Sequence, residues 1–387
     1  MPYYHKLGMI PHKRHTQFRR SDGELYREEV MGTRGFTGIQ SILYHTYPPT
    51  EVKRTEKVAD LAVAYSEFGS IRHRHFKTGP LPSGGDGYSA RRVLLGNSDV
   101  TLSVARPTEA MNYYYRNGDS WEVLFVHEGA GQLETIFGWL DFRPGDYIVI
   151  PVGTTYRLHF TGRDNRFLVI ESATAIDPPK RYRNEYGQLL ENSPYCERDI
   201  RVPDRLEPHA ERGEFEVRVR ARGELHRHVL AHHPLDVVGW DGYLYPWILN
   251  IGDFEPITGR VHQPPPVHQT FEGWNFVVCS FVPRLFDYHP QAIPAPYAHS
   301  NVNSDEVIYY VDGNFMSRKG VEVGSFTLHP SGLPHGPHPG TAEASIGAKE
   351  TKELAVMVDT FRPLQVAVQA LEFEDEKYAY SWYAETS

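Results

Sequence analysis

The stretch GSFTLHPSGLPHG, residues 324–336, decides the fold, because its turn residues stand at fixed distances from one another. Its first glycine is followed after five residues by Pro330-Ser-Gly332 and, after two further residues, by His335. Upstream, Glu306 is followed after six residues by Gly313. Glycine and Pro-x-Gly turns at such positions separate short extended runs. The pattern is typical of a small antiparallel barrel made of two facing sheets.

The first half of the chain repeats this spacing. Glu122 is followed after six residues by Gly129, and Gly145 is followed after five by Pro151-Val-Gly153 and, after two further residues, by Tyr156. A single Pro-x-Gly is common, but two matched sets in one chain indicate a duplicated unit. Both copies resemble the cupin family. This resemblance implies a mostly β protein, a double cupin of two jelly-roll-like β-barrels with a long connector.

The rest of the chain also favours strands. Short apolar or alternating runs closed by turn residues predict strands at 121–126, 146–150 and 276–282. Helical candidates are few, and we expect them only at 56–68 and 363–372. A mostly β protein follows from this balance.

Composition limits the class of protein. With 387 residues, of which 40% are hydrophobic and 23% charged, the chain can bury a full core. A net charge of −9 argues against a nucleic-acid surface. The only two cysteines, Cys196 and Cys279, exclude a disulfide framework and a thiolate metal cluster. No apolar stretch approaches the roughly 20 residues that cross a bilayer. We therefore expect a soluble cytoplasmic protein without membrane or nucleic-acid partners.

The two copies differ where a metal ion would bind. The second copy offers His299 upstream of Glu306, and His335 after the Pro-x-Gly turn. The first copy has Tyr156 in place of the last histidine and no histidine in the upstream segment 113–120. We therefore predict that the first barrel is a scaffold and that the second holds an ion.

The predicted ligand set suits iron. Two imidazoles and one carboxylate form the facial triad of non-haem Fe(II) oxygenases, which leaves positions open for substrate and dioxygen. His299 and Glu306 are seven residues apart, so on one uninterrupted strand they would face opposite ways. The turn-rich segment 301–305 is expected to break the register and bring them together. Zinc stays an alternative, because hydrolytic sites also use two histidines and a glutamate.

These predictions divide the chain into three parts. A polar, charged and proline-containing region at 177–223 marks a crossing between two cores. We predict an N-terminal arm and metal-free cupin barrel at 1–176, and a connector and shared scaffold at 177–250. The C-terminal catalytic cupin barrel then spans 251–387.

Longer strings carry a more specific resemblance. PAPYAHSNVNSDEVIYYVDG (294–313), GSFTLHPSGLPHGPHPG (324–340) and GFTGIQSILYHTYPPTEV (35–52) resemble the homogentisate 1,2-dioxygenase family. The resemblance covers most of the chain. It implies Fe(II) held by the second barrel and conversion of homogentisate and O2 to maleylacetoacetate, as in tyrosine and phenylalanine catabolism. It further implies a small aromatic substrate and a homo-oligomer, a trimer or hexamer.

The same resemblance implies roles for two more histidines. His262, in VHQPPP (261–266), aligns with the family's catalytic base, and His329, six residues before the last ligand, with a substrate-binding histidine. His268 stays open as a competing base, because a histidine of near-neutral pKa suits the removal of a phenolic proton. Arg284 is a basic residue close in sequence, and we expect it to pair with the substrate carboxylate.

One departure keeps other functions open. Family members commonly carry a tyrosine where this chain has Phe315, so one hydroxyl contact is missing. Gentisate or another hydroquinone therefore stays an alternative substrate. A metal-dependent isomerase or hydrolase acting on a sugar-like compound is a second alternative. A non-catalytic storage or regulatory bicupin is a third, and the retained triad counts against it.

Overall fold

The computed structural model describes residues 2–67, 69–313, 315 and 320–383. These residues form 27 strands and one short α-helix, so the predicted mostly β, double-cupin class is confirmed. The strands are β1 (His5–Gly8), β2 (Arg27–Gly32), β3 (Gln40–His45), β4 (Val52–Asp60), β5 (Arg74–Phe76), β6 (Arg91–Gly96), β7 (Val100–Ala105), β8 (Tyr114–Asn117), β9 (Trp121–Glu128), β10 (Gly131–Thr135), β11 (Gly138–Phe142), β12 (Asp146–Ile150), β13 (Thr155–Phe160), β14 (Arg166–Ser172), β15 (Ile200–Arg201), β16 (Arg212–Ala221), β17 (Glu224–His232), β18 (Val237–Gly242), β19 (Trp247–Asn250), β20 (Gln269–Gly273), β21 (Phe276–Phe281), β22 (Arg284–Leu285), β23 (Asp305–Asp312), β24 (Phe326–His329), β25 (Glu350–Thr351), β26 (Leu354–Thr360) and β27 (Gln365–Val366).

The helical segments are short. The α-helix, α1, spans Thr341–Ser345. The remaining helical turns are of the 3-10 type and lie at Lys180–Tyr182, Glu197–Asp199, Ile251–Asp253, Pro265–His268, Val368–Phe373 and Tyr378–Tyr380.

The three predicted strands at 121–126, 146–150 and 276–282 are confirmed as β9, β12 and β21. The helix predicted at 56–68 is wrong, because its first part lies in β4, which pairs antiparallel with β17. Partners distant in the sequence favour the strand: Lys57 donates to the carboxylate of Glu224 on β17 at 2.7 Å.

The other helical candidate, 363–372, is half right, since β27 precedes a 3-10 helix there. Residue 68 lies outside the described residues, as do residues 316–319 and 384–387 of the predicted C-terminal barrel.

Two large sheets enclose the first barrel. One has eight strands in the order β15-β19-β12-β9-β14-β7-β6-β27, and the other has seven in the order β11-β10-β13-β8-β16-β17-β4. The alternation of a strand sends neighbouring side chains to opposite faces. Leu124 and Val126 of β9 therefore join an apolar cluster with Leu133 and Leu158 of the seven-stranded sheet. This cluster is the core of the first barrel.

The second barrel is built on a six-stranded sheet in the order β20-β21-β26-β23-β24-β5, beside the two-stranded sheet β22-β25. Val307 and Tyr309 of β23 pack in one large cluster with Val123 and Phe125, which point from the other face of the eight-stranded sheet. The opposite face of β23 adds Ile308 and Tyr310 to a smaller cluster. The large cluster joins the two barrels, and the smaller one lies within the second.

The strands cross the predicted domain boundaries. β5, from the first part of the chain, pairs with β24, and β27, from the last part, pairs with β6. β15 and β19, from the predicted connector, extend the eight-stranded sheet at β12. The division at 176 and 250 stays a prediction, and the shared strands tie its three parts together.

The structure also bears on the two cysteines and on membrane-spanning helices. Cys196 and Cys279 are both free thiols, one partly buried and one buried. The helices among the described residues are all too short or too polar for a membrane span.

One ion pair lies deep in the four-stranded sheet β1-β18-β3-β2. His45, at the end of β3, contacts Asp236 through Nδ1 at 2.7 Å and Glu29 through Nε2 at 3.0 Å. Burial alone would lower the pKa of His45, but its hydrogen bonds to the two carboxylates outweigh burial and raise the pKa to about 9. His45 therefore carries a proton at neutral pH.

Replacing His45 by glutamine is expected to lower the free energy of unfolding by about 3 kcal/mol near pH 6, because it leaves the buried carboxylate of Asp236 without its cation. A folded-state pKa above the unfolded value stabilises the protein fully below pH 6.5, and this contribution is lost as the pH rises through 9. Urea unfolding of both proteins at pH 6 and pH 9.5 measures the difference. A difference that stays constant between the two pH values would contradict a charged His45.

Candidate metal centre

The structure brings together the three residues that the sequence predicts as metal ligands. One ligand atom each from His299, Glu306 and His335 lies within 4.8 Å of the other two. Nε2 of His299 is 3.5 Å from Oε2 of Glu306, and Nε2 of His335 is 3.4 Å from Oε1. The carboxylate thus faces both imidazoles at once.

Backbone pairing explains how the two histidines meet. His299 and His335 form an isolated antiparallel bridge, in which each backbone N–H donates to the carbonyl of the other, at 2.8 and 2.9 Å. Directly opposed residues point to the same side of a β pair. The two rings therefore lie together, with their centroids 4.3 Å apart. A turn at 301–304 then separates His299 from β23, where Glu306 is the second residue.

The histidine rings are oriented for binding through Nε2. Nδ1 of His299 lies 3.3 Å from the carbonyl oxygen of Tyr297, and Nδ1 of His335 lies 3.2 Å from that of Leu333. A carbonyl only accepts, so Nδ1 carries the proton and Nε2 keeps its lone pair. Among the described residues, Nε2 of His335 is buried and has no hydrogen-bond partner. Two such imidazoles and a carboxylate fit a divalent metal ion.

The charge of the centre is concentrated on Glu306, which is only 5% exposed. Burial alone would raise the pKa of this carboxyl, but its contacts with His299, His329 and His335 outweigh burial and hold the pKa well below the usual value. Asp359 stands directly opposite on β26. Burial, together with the charge of Glu306, raises the pKa of Asp359 to about 8. The ionised carboxylate of Glu306 therefore disfavours ionisation of its neighbour Asp359.

His329 lies behind the carboxylate. It is directly opposite Glu306 on β24 and is fully buried. Its Nδ1 is 2.8 Å from Oε1 of Glu306, and its Nε2 is 3.1 Å from the hydroxyl of Tyr378. The substrate-binding role of His329 stays a prediction, because both ring nitrogens face protein groups.

His262 lies at the rim of the centre. Its side chain is 57% exposed, and its Nδ1 is 3.0 Å from a carboxylate oxygen of Asp287. Its ring packs edge-on against Tyr297, which packs in turn against His299. The role of His262 as the base stays a prediction.

The competing base differs from His262 in its surroundings. His268 is buried against Phe281. Burial, aided by the charge of Arg284, lowers the pKa of His268 to about 3. A histidine of such low pKa is a weak proton acceptor at neutral pH.

Arg284 and Phe315, two other residues that the sequence singles out, both contact groups within the protein. Arg284 donates to the carboxylate of Glu353 at 3.3 Å and to the carbonyl of Val282 at 3.2 Å. Phe315 is 8% exposed and packs edge-on against Tyr310 in the small cluster of the second barrel. The carboxylate-binding role of Arg284 stays a prediction.

Sequence reasoning missed the residues that surround the centre from other parts of the chain. The ring of His73 lies 5.2 Å from that of His329 and 5.8 Å from that of His335. Tyr378 and Trp382 come from near the C-terminus. These residues lie outside the repeat, so its spacing gave no signal. The unusual run RHRH at 72–75 was the one local sign.

The corresponding place in the first barrel holds a guanidinium. The hydroxyl of Tyr156 donates to Glu122 at 2.9 Å and accepts from Arg91 at 3.0 Å. Arg91 also binds Glu122 directly and contacts Glu171 at 3.2 Å. Glu171 faces Glu122 across β9 and β14, as Asp359 faces Glu306 in the second barrel. Arg220 also donates to Glu171, at 2.6 Å, so two guanidinium groups neutralise the first carboxylate pair.

Comparison with known proteins gives three findings. The family described as "Homogentisate 1,2-dioxygenase N-terminal" matches residues 96–251. The "Putative dioxygenase" of Saccharolobus solfataricus is 42% identical over 99% of this chain and all of its own length. The "Homogentisate 1,2-dioxygenase" of Bradyrhizobium diazoefficiens is 28% identical over 70% of this chain and 63% of its own length.

Solved structures resemble the chain only loosely. A "Cupin 2 conserved barrel domain protein" from Leptotrichia buccalis has a TM-score of 0.32 and 11% identity, and covers 78% of this chain and all of its own. The fold therefore rests on the strands and sheets of this chain.

Replacing His335 by alanine is expected to weaken binding of a divalent ion by at least about 100-fold, more than the loss of an outer hydrogen-bond partner costs. Competition with a chromophoric chelator under anaerobic conditions measures the dissociation constant, and elemental analysis gives the metal content. His12, an exposed histidine, supplies the matched control His12→Ala. Wild-type affinity in His335→Ala would exclude this residue as a ligand.

Proposed function

Because the chain belongs to the homogentisate 1,2-dioxygenase family, we propose that it is an Fe(II)-dependent dioxygenase that opens the ring of homogentisate with O2 to give maleylacetoacetate. The observation that carries the proposal is the convergence of His299, Glu306 and His335 on one point. Bound Fe(II) would supply open coordination positions and the electrons that activate O2. The protein itself supplies ligand geometry, proton transfer and substrate orientation.

His262 is the proposed base. The ionised form of Asp287 accepts a hydrogen bond from Nδ1–H of His262, which leaves Nε2 free to take the phenolic proton of the substrate. A partner carboxylate of this kind also stabilises the imidazolium that forms. The exposure of His262 at the rim supports this role over that of the buried His268.

The substrate is proposed to be homogentisate, with gentisate or another hydroquinone as the variant. His329 and Arg284 are the proposed substrate contacts. Arg284 would exchange its contact with Glu353 for the substrate carboxylate, since a guanidinium forms charge-assisted hydrogen bonds with either. Phe315 adds an apolar surface inside the second barrel and no hydroxyl.

The proposal also covers the compartment, the pathway and the oligomeric state of the enzyme. We place it in the cytoplasm, in tyrosine and phenylalanine catabolism, as a homo-oligomer of three or six chains. The three-part division of the chain belongs to the same proposal, with catalysis in residues 251–387.

Oxygen uptake tests the proposed reaction. Protein loaded with Fe(II) is expected to consume O2 with homogentisate faster than with gentisate, and the product mass should equal that of the substrate plus both oxygen atoms. His335→Ala serves as the inactive control. Fe(II)-loaded protein that leaves every hydroquinone intact would refute the proposal, and a reversed order of rates would favour gentisate.

Replacing His262 by glutamine is expected to lower kcat about 100-fold, the usual contribution of a general base, with a smaller change in KM. Steady-state oxygen uptake over a range of pH measures both constants. His289, an exposed histidine of the same region, provides the control His289→Gln. A kcat for His262→Gln equal to that of the control would exclude His262 as the base.

A further inference from the structure

A short segment at the end of the described chain passes behind the metal centre. We call residues 374–383 the C-terminal strap. It is anchored at its start on the neighbourhood of β5, where Glu374 accepts hydrogen bonds from Arg72 at 2.9 Å and Arg74 at 3.0 Å. The backbone N–H of Asp375 donates to the carbonyl of His75 at 2.7 Å. Since β5 pairs with β24, the strap is fixed to the sheet that carries Glu306.

The middle of the strap reaches the metal centre through one hydroxyl. Tyr378 is 3% exposed, and its hydroxyl lies 3.1 Å from Nε2 of His329. Nδ1 of His329 lies 2.8 Å from Oε1 of Glu306. An ionised carboxylate only accepts, so Nδ1 of His329 donates to it and Nε2 accepts from the phenol. Tyr378, His329 and Glu306 therefore form one directed chain of hydrogen bonds.

The end of the strap touches the loop that carries the last ligand. Nε1 of Trp382 donates to the carbonyl of Gly336, the residue after His335, at 3.0 Å. Trp382 also stacks on His338 at 4.3 Å between centroids, and Ser381 contacts Nε2 of His338 at 2.8 Å. The strap thus contacts the surroundings of two of the three ligands.

We propose that the C-terminal strap positions the metal ligands, with Tyr378 fixing Glu306 through His329 and with Trp382 fixing the loop of His335. The inference rests on the proposed function, because it takes Glu306 and His335 as metal ligands. Outer partners of this kind set the orientation of a ligand, and their loss usually costs 10- to 100-fold in metal affinity. Tyr378 is a positioning residue, because its hydroxyl contacts His329 and not one of the three metal ligands.

The test removes one hydroxyl. Tyr378→Phe is expected to weaken binding of Co(II) to the whole protein at least about tenfold and to change the visible absorption spectrum of the bound Co(II). Tyr380, which lies two residues away and is 72% exposed, gives the matched control Tyr380→Phe, with wild-type affinity and spectrum. Thermal unfolding of the metal-free proteins shows whether each variant is folded.

Trp382→Phe is a second variant, because it removes the hydrogen bond to Gly336 and retains an aromatic ring. It is expected to weaken Co(II) binding as well, and it decides the question if Tyr378→Phe fails to fold. Folded variants that bind Co(II) as tightly as Tyr380→Phe, with the wild-type spectrum, would overturn the proposal. These measurements need no substrate, so their outcome is separate from that of the oxygen-uptake assay.

Discussion

A buried carboxylate at the same point of two duplicated barrels is the constraint on which the rest depends. Glu122 and Glu306 are each almost fully buried, and an isolated charge in such a place costs several kcal/mol. The two barrels balance the charge of this carboxylate in different ways. The first places the guanidinium of Arg91 between Glu122 and Glu171. The second surrounds its carboxylate with imidazoles, which at neutral charge cannot balance it and therefore suit a divalent cation. One duplicated unit thus gives a scaffold and a metal centre.

The scaffold supports the metal centre through shared sheets. The eight-stranded sheet packs one face on the core of the first barrel and the other on the six-stranded sheet of the second. Between them, the hydroxyl of Tyr309 accepts a hydrogen bond from Arg166 at 3.0 Å, and Arg166 also donates to the carbonyl of Gly324 at 2.7 Å. Gly324 lies in the turn before β24, which carries His329. The first barrel therefore fixes the backbone from which the second barrel presents its residues.

The sequence predicts what is local or repeated, and it fails where partners are far apart in the chain. Fixed distances between turn residues predict the two barrels, and they also bring out the triad, because each ligand stands next to a turn of the repeat. Arg91 reaches Glu122 from 31 residues away, and Tyr378 reaches His329 from 49. Such contacts depend on how sheets stack, which no local spacing encodes. The misassigned helix in β4 has the same cause, since the strand is favoured by pairing with β17.

Exposure across the metal centre is uneven, and this limits how a substrate can approach it. The side chain of His335 is fully buried and that of Glu306 is 6% exposed, whereas that of His299 is 35% exposed. Tyr297 and His262 continue from His299 into solvent, while the C-terminal strap covers the other side. A small molecule can therefore approach the centre from the side of His299. The proposed base, His262, lies on this open side, and the C-terminal strap lies on the buried side.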